Sequence, residues 1–435
     1  MYTPTPLVAD LMKFLDGSPV NFIAVEQCIA RLTDAGFTPL DPADEWTLRP
    51  GGRYYITKND SAIVAFVIAD SPAPAIPFSI ISAHSDSPGF RIKPHSAMFT
   101  EGGIVKLNTE VYGGPILYTW FDRPLSIAGR VMLKGTDALH PVSRKIMVKR
   151  PLLTIPHLAI HFNRAVNDGN PLSRQKDMLP IIGYVNSQLE ADNLLLNLIA
   201  EELHVPAADI IDFDLSLYDT TPVCLLGLNN EFITSGRIDD LSMVHAAITS
   251  LIAEASVPSH RTRIAAIFDN EETGSGTKQG AASPMLMHLM RRICFSLGGD
   301  EQSYLRSIAE SFMISADNAH GLHPNYPEKQ DPTNHPQLGR GPVIKYNANC
   351  KYMTDAESAS VYMSICNDAG VQYQTFVNHS DVAGGSTLGN ILTSQIDLRG
   401  VDMGAAIWAM HSVRETASAA DHDSIARTFR RFYTL

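Results

Sequence analysis

Four short clusters in this 435-residue chain bring imidazole and carboxylate groups together in a pattern that suits a divalent metal and a water molecule made reactive beside it. They are Ser82–Pro88 (SAHSDSP), Gly236–Asp240 (GRIDD), Phe268–Glu272 (FDNEE) and Ile314–His320 (ISADNAH). Zinc accepts His nitrogen and Asp or Glu oxygen, and its catalytic sites keep one position open. Adjacent carboxylates such as Glu271 and Glu272 are costly unless something cationic draws them together. A division of labour would make one a metal ligand and the other a general base. Asp86, two residues past His84, could orient that imidazole from behind. Each cluster alone says little, and the helix-borne HExxH signature is absent. The weight lies in their recurrence after successive expected strands.

The elements that must position these residues can be read from periodicity. Leu7, Val8, Leu11 and Leu15 mark a first helix, and Asn21 is the expected cap of a second that ends near Gly36. Strands are expected over residues 53–57, 62–68 and 78–83. Residues 93–231 read as a β-rich insert with glycine punctuation, helical only around 192–203. Beyond 232, helix and strand alternate. Val244, Ala247, Ile248, Leu251 and Ile252 form one apolar stripe, residues 263–268, 312–316 and 343–346 read as strands, and 356–366 and the Ile425–Phe432 face as helices. This alternation implies an α/β sandwich with a mostly parallel sheet, discontinuous in sequence (1–92 and 232–435) and interrupted by the insert (93–231). In such sheets ligands bind beyond the carboxyl ends of the strands, where distant clusters can meet.

Composition narrows the function classes. Lys and Arg total 34 against 46 Asp and Glu, a formal charge of −12, the wrong balance for a polyanion-binding protein. No apolar run approaches the ~18 residues of a transmembrane helix. The amino terminus lacks a basic start and a clean apolar run, and the five cysteines include no CxxC pair. A cytoplasmic protein with neither nucleic-acid nor membrane partners is therefore expected. Two glycine-rich segments are decoys. Gly274–Gly280 (GSGTKQG) lacks the Gly-Lys-Ser/Thr run of a nucleotide loop, and Gly384–Gly389 (GGSTLG) is a tight turn rather than a nucleophile elbow.

The clusters also belong to a longer series: AHSDSPGFRIKP (83–94), AIHFNR (159–164), GRIDDL (236–241), FDNEETGS (268–275), ISADNAHGLHPNYPEK (314–329), GPVIKYN (341–347), GGSTLGNILTSQIDLRGVDMG (384–404) and AMHSVRE (409–415). In this order they resemble the M18 family of metallo-aminopeptidases, the aspartyl aminopeptidase group. The resemblance implies two zinc ions per subunit; Co²⁺ or Mn²⁺ could replace zinc at the looser position, because affinity order and availability both matter. Asp239 would bridge them, His84 and Asp317 would complete one site, Glu272 and His411 the other, and Glu271 would be the general base. It further implies peptide substrates with an acidic first residue, contacted by Lys345, Tyr352 and His320. His161 of the insert would reach a neighbouring subunit's site, and the insert would be a dimerisation domain in a tetrahedral homododecamer. The chain departs from the commoner pattern at Ser85, Asp240 and Thr273. The readings set against this one are a broader or non-acidic preference, a non-catalytic self-assembling shell, and a dinuclear deacylase or carboxypeptidase.

Overall fold

Strict alternation in three consecutive apolar strands sets the architecture. Ile63, Ala65 and Val67 face one core while Val64 and Phe66 face another, and the same holds for Ile81 and Ala83 against Phe78 and Ile80, and for Ala265 and Ile267 against Ile264, Ala266 and Phe268. A strand that is apolar on both faces must be covered on both. The computed structural model, which describes residues 2–70 and 75–435, covers them with helices on either side of a nine-stranded sheet. Helices Pro6–Asp16, Asn21–Asp34, Ile238–Glu254, Ala356–Asp368 and Ala419–Tyr433 pack on one face. Met285–Ser296, Glu301–Ala309 and Leu388–Thr393 pack on the other.

In spatial order the sheet runs Thr38–Pro39, Arg53–Lys58, Ala62–Val67, Thr262–Phe268, Phe78–His84, Phe312–Ala316, Arg399–Gly404, Val343–Tyr346 and Gln374–Val377. Its centre, from Thr262–Phe268 to Arg399–Gly404, is parallel throughout, and the antiparallel pairings flank it. The sheet is an α/β sandwich with a mixed periphery. A smaller five-stranded sheet (Cys224–Leu226, Phe232–Ser235, Glu415–Ser418, Ala406–Trp408, Ala319–His320) belongs to the same unit.

By its contacts the chain forms two units. The first comprises Met1–Asp86, Val223–Met410 and Glu415–Leu435, and the second Ser87–Pro222 with His411–Arg414. The second holds a six-stranded sheet and the helix Gln188–Leu203, whose Leu195 and Ile199 pack into the same core as Phe90, Trp120, Ile127 and Leu217. The expected break at 92/93 falls inside the strand Gly89–Phe99, which pairs from Gly89 onward with Ile104–Tyr112.

One local expectation needs correction. Asn21 does not cap the second helix. Val20 is the N-cap residue, and the Asn21 side chain instead donates to Asp269 Oδ1 at 2.9 Å. Among the described residues no helix is long and apolar enough to cross a membrane.

Candidate active site

Parallel neighbours that end together create the site. His84 closes the strand Phe78–His84, in register with Phe268 at the end of Thr262–Phe268. The Ser85 N–H continues the pairing to Phe268 O at 2.8 Å. The next strand ends at Ala316, one residue before Asp317. The Asp317 N–H bonds to Met403 O at 2.9 Å, and this approach requires glycine at 404, where a Cβ would come within 1.8 Å of Asp317 O. Asp239 enters from the start of the helix Ile238–Glu254, its N–H donated to Glu415 Oε2 at 2.9 Å. The Asp239–Asp240 peptide is cis.

The result is two overlapping groups in the first unit, each with ligand atoms within 4.8 Å of one another: His84 with Asp239, Asp240 and Asp317, and His84 with Glu271 and Glu272. His84 Nδ1 lies 3.1 Å from the Asp86 carbonyl oxygen and 3.4 Å from Asp86 Oδ1, while Nε2 lies 3.5 Å from Asp239 Oδ1. With its proton on Nδ1, the ring presents the Nε2 lone pair to the carboxylates, the tautomer a metal-binding histidine needs.

Asp86 also accepts the backbone N–H groups of Glu271 and Glu272, at 3.1 Å each. On the other side of that turn, Asn270 Oδ1 accepts from Thr277 Oγ1 and Gln279 Nε2, both at 2.8 Å. The glycine-rich 274–280 segment therefore buttresses the Glu271–Glu272 turn. The 384–389 turn has a comparable part, since Thr387 Oγ1 donates to the buried Asp402 Oδ1 at 2.6 Å.

The electrostatics of this cluster favour a cation. Burial pushes Glu271 up to about 8, with Asp317, Asp86 and Asp239 adding to the rise against the opposing pull of His84. Burial and then Asp239 raise Glu272 well above the usual carboxylate range. Asp240 is raised by burial, and by Asp317 and Asp239. His84 moves up instead: burial opposes its charge, but Asp240, Asp239 and Asp86 outweigh it. Buried carboxylates that repel one another around an imidazole fit a divalent ion of the zinc class, by donor type and by charge.

Lys345 is buried beside this group. Its Nζ lies 3.2 Å from Asp317 Oδ2 and 5.6 Å from the centre of the Tyr352 ring. Burial works against its charge, yet Asp317 with Tyr352 and Asp402 holds the ammonium above its usual range. His320 is exposed at the end of the strand pair Ala319–His320 with Ala406–Ile407. His411 lies in the second unit, where Nδ1 is 3.1 Å from Gly114 O. His161 is exposed in the same unit, whereas His157 is tied down, its ring 4.4 Å from that of Phe121.

The family model described as Aminopeptidase I zinc metalloprotease (M18) matches residues 14–433. The "Probable M18 family aminopeptidase 2" of Clostridium novyi (strain NT) is 48% identical over 426 residues, covering 98% of each chain. This chain belongs to the M18 aminopeptidase family. Among solved structures, a chain of the Ape4 and Nbr1 complex matches with a TM-score of 0.95 at 34% identity, covering 98% of this chain and 85% of that one. The S. cerevisiae mApe1 dodecamer matches in fold, with a TM-score of 0.86 at 23% identity and coverage of 98% and 96%.

For this M18 zinc metallo-aminopeptidase, the structure adds residues that the sequence reading did not assign to the site. Asp240 sits fully buried in the cluster, and its Oδ2 accepts the His84 N–H at 3.1 Å. Glu415 anchors Asp239 from the far end of the chain. Asp269, pushed up to about 6 by burial and then by Asp86, stands behind the turn. Asp240 adjoins Asp239, Asp269 lies two residues before Glu271 in the FDNEE cluster and Glu415 closes the AMHSVRE motif, so position in a motif was the available signal.

Proposed function

We propose that this aminopeptidase is a dinuclear zinc enzyme that removes the first residue of peptides, with a preference for Asp or Glu. The observation that carries this reading is the gathering of His84, Asp317, Glu271 and Glu272 beyond the carboxyl ends of adjacent strands, with Asp239 brought to them from the start of the helix Ile238–Glu254. In this reading His84, Asp239 and Asp317 hold one ion, and Asp239, Glu272 and His411 the other. His411 is supported by its place in AMHSVRE. Bound zinc supplies Lewis acidity toward the carbonyl oxygen and makes water a nucleophile near neutral pH. Glu271 takes the proton from that water and returns it to the departing amine. Glu271 adjoins Glu272 in the same turn, which places its carboxylate beside the ligand set it would serve. Asp86 fixes Glu271 from behind through the backbone.

The acidic preference rests on Lys345, a buried ammonium beside Tyr352 that can meet a substrate carboxylate with a charge-assisted hydrogen bond. His320 contacts the same residue, and His161 is supplied by a neighbouring subunit. Assembly through the insert into dimers, and of dimers into a tetrahedral dodecamer, is supported by the family motifs and by the apolar side chains the insert exposes, Leu158, Ile160 and Phe162 at 55%, 46% and 80%. The cytoplasm is the expected compartment.

The test is hydrolysis of Asp-, Glu-, Ala-, Leu- and Lys-terminated chromogenic amides with chelator and with zinc restored. Zinc-dependent cleavage favouring Asp and Glu is expected. Cleavage without acidic preference would discard the role of Lys345 and keep the mechanism. Cleavage of an N-acetylated substrate would point instead to a deacylase or carboxypeptidase.

A further inference from the structure

We propose that a cavity of about 240 Å³ in the first unit receives the residue that follows the scissile bond and binds a carboxylate on it. The inference rests on the aminopeptidase reading above and adds a substrate feature to it: preferred substrates are short peptides whose second residue carries a free carboxylate.

The cavity adjoins the carboxylate cluster through the chain itself. His320 lines it and follows Asp317 in one segment, and Phe376 lines it as the register partner of Lys345 across parallel strands. Its walls are already fixed. The His320 and Phe376 rings meet edge-on at 6.0 Å, Trp408 Nε1 donates to Leu322 O at 2.9 Å, and Gln330 Nε2 donates to His320 O and Gly321 O at 3.0 Å each. The volume is below the ~300–1,000 Å³ of sites for drug-sized ligands, so it suits one or two residues.

Its chemistry is one-sided. Lys329, His320, His323 and His379 supply nitrogen donors around the aromatic walls, and none of the described lining residues is acidic. Asp381, 4.0 Å from His379 Nδ1, is 92% exposed. A donor-rich, acid-free pocket in a chain of net charge −12 is complementary to an anion. The direction of the peptide follows from burial. On the side of the Phe376 strand, Lys345 and Tyr352 are buried, at 3% and 8% exposed, whereas His320, His323 and Lys329 form an exposed rim where the terminal carboxylate of the second residue would sit.

The experiment is calorimetry on zinc-loaded Glu271→Gln protein, which should bind without cleaving, using Asp-Phe dipeptide and its C-terminal amide. The free carboxylate is expected to bind about tenfold more tightly than the amide. That ratio should fall toward one in the Lys329→Ala and His323→Ala backgrounds and persist with Lys329→Arg. Equal affinities in the parent, or an unchanged ratio in both alanine variants, would overturn the proposal. Failure of the aminopeptidase reading is separately visible, as absence of turnover by the wild-type enzyme while the affinity ratio stands.

Discussion

The Asp86 carboxylate accepts the backbone N–H of Glu271 at 3.1 Å, and its second oxygen does the same for Glu272. One side chain thus fixes the turn that carries both carboxylates while also lying 3.4 Å from His84 Nδ1. Asn at this position keeps one acceptor and turns an NH2 group toward the other N–H. We expect Asp86→Asn to lower zinc affinity or turnover by about 10–100-fold, the usual effect of losing a partner behind a metal ligand. Zinc titration alongside steady-state kinetics reads both. Unchanged values in both assays would mean that the turn is held by the Asn270 network alone.

Glu271→Gln tests the proton-transfer role without removing bulk. The amide preserves the backbone contact with Asp86, which uses the main-chain N–H. It cannot take a proton from water. We expect zinc content and oligomeric state to match wild type and kcat to fall by about 10²–10⁴-fold. Near-wild-type turnover would remove Glu271 from the mechanism and leave another group to move the proton.

The readable and unreadable parts of the site differ in sequence range. Ile63 to Phe66 alternate between two cores, and a period of two is a local property, so the central strands were visible in the chain. His84, Asp317 and the Glu271–Glu272 pair follow such strands, so their convergence could be anticipated. The contacts that tune them join distant segments: Glu415 to Asp239, Lys345 to Asp317, Asp86 to Glu271. No spacing rule connects these positions. Asn21 marks the same limit: Val20 takes the N-cap position, while the Asn21 side chain accepts the Phe22 N–H at 3.0 Å and donates across the fold to Asp269. The edges of the large sheet were also hidden, because mixed pairing there depends on crossovers that hydrophobic pattern does not encode.

Lys345 has two partners to lose. Its ion pair with Asp317 is buried, and truncation to Met would leave that carboxylate facing its acidic neighbours without the ammonium. Breaking a buried pair on one side costs about 3–5 kcal/mol. We expect Lys345→Met to lower the stability of the zinc-free protein by an amount of that order. With zinc restored, it should reduce kcat/KM for Asp and Glu substrates by more than tenfold relative to Ala. Chemical denaturation with and without zinc, and kinetics on paired substrates, separate the two effects. Equal losses on acidic and neutral substrates would assign Lys345 to holding Asp317 rather than selecting the substrate.

A pair of histidines away from these carboxylates predicts how the fold responds to acid. His245 Nδ1 and His422 Nε2 are 2.9 Å apart, both rings are buried, and His245 Nε2 meets Asp10 Oδ2 at 2.9 Å. Burial holds His245 below the usual histidine range against the pull of Asp10, and holds His422 well below it, with the neighbouring His245 adding to the effect. Both rings are therefore neutral in the fold at pH values where the unfolded chain, with an ordinary value of 6.5, takes up protons. The sign follows from linkage: the unfolded state binds more protons as pH falls below 6.5, so the stability present above that pH is progressively lost on acidification. We expect this pair to lower Tm between pH 7 and pH 5 relative to a protein without it, so that the Tm of His422→Leu, which lacks one buried titrating ring, falls less over that range than the wild type's. Thermal unfolding of both proteins across that range checks this. A His422→Leu profile parallel to wild type would show that this pair is not the source of the acid sensitivity; the raised carboxylates of the cluster act in the opposite sense, since protonating them favours the folded state.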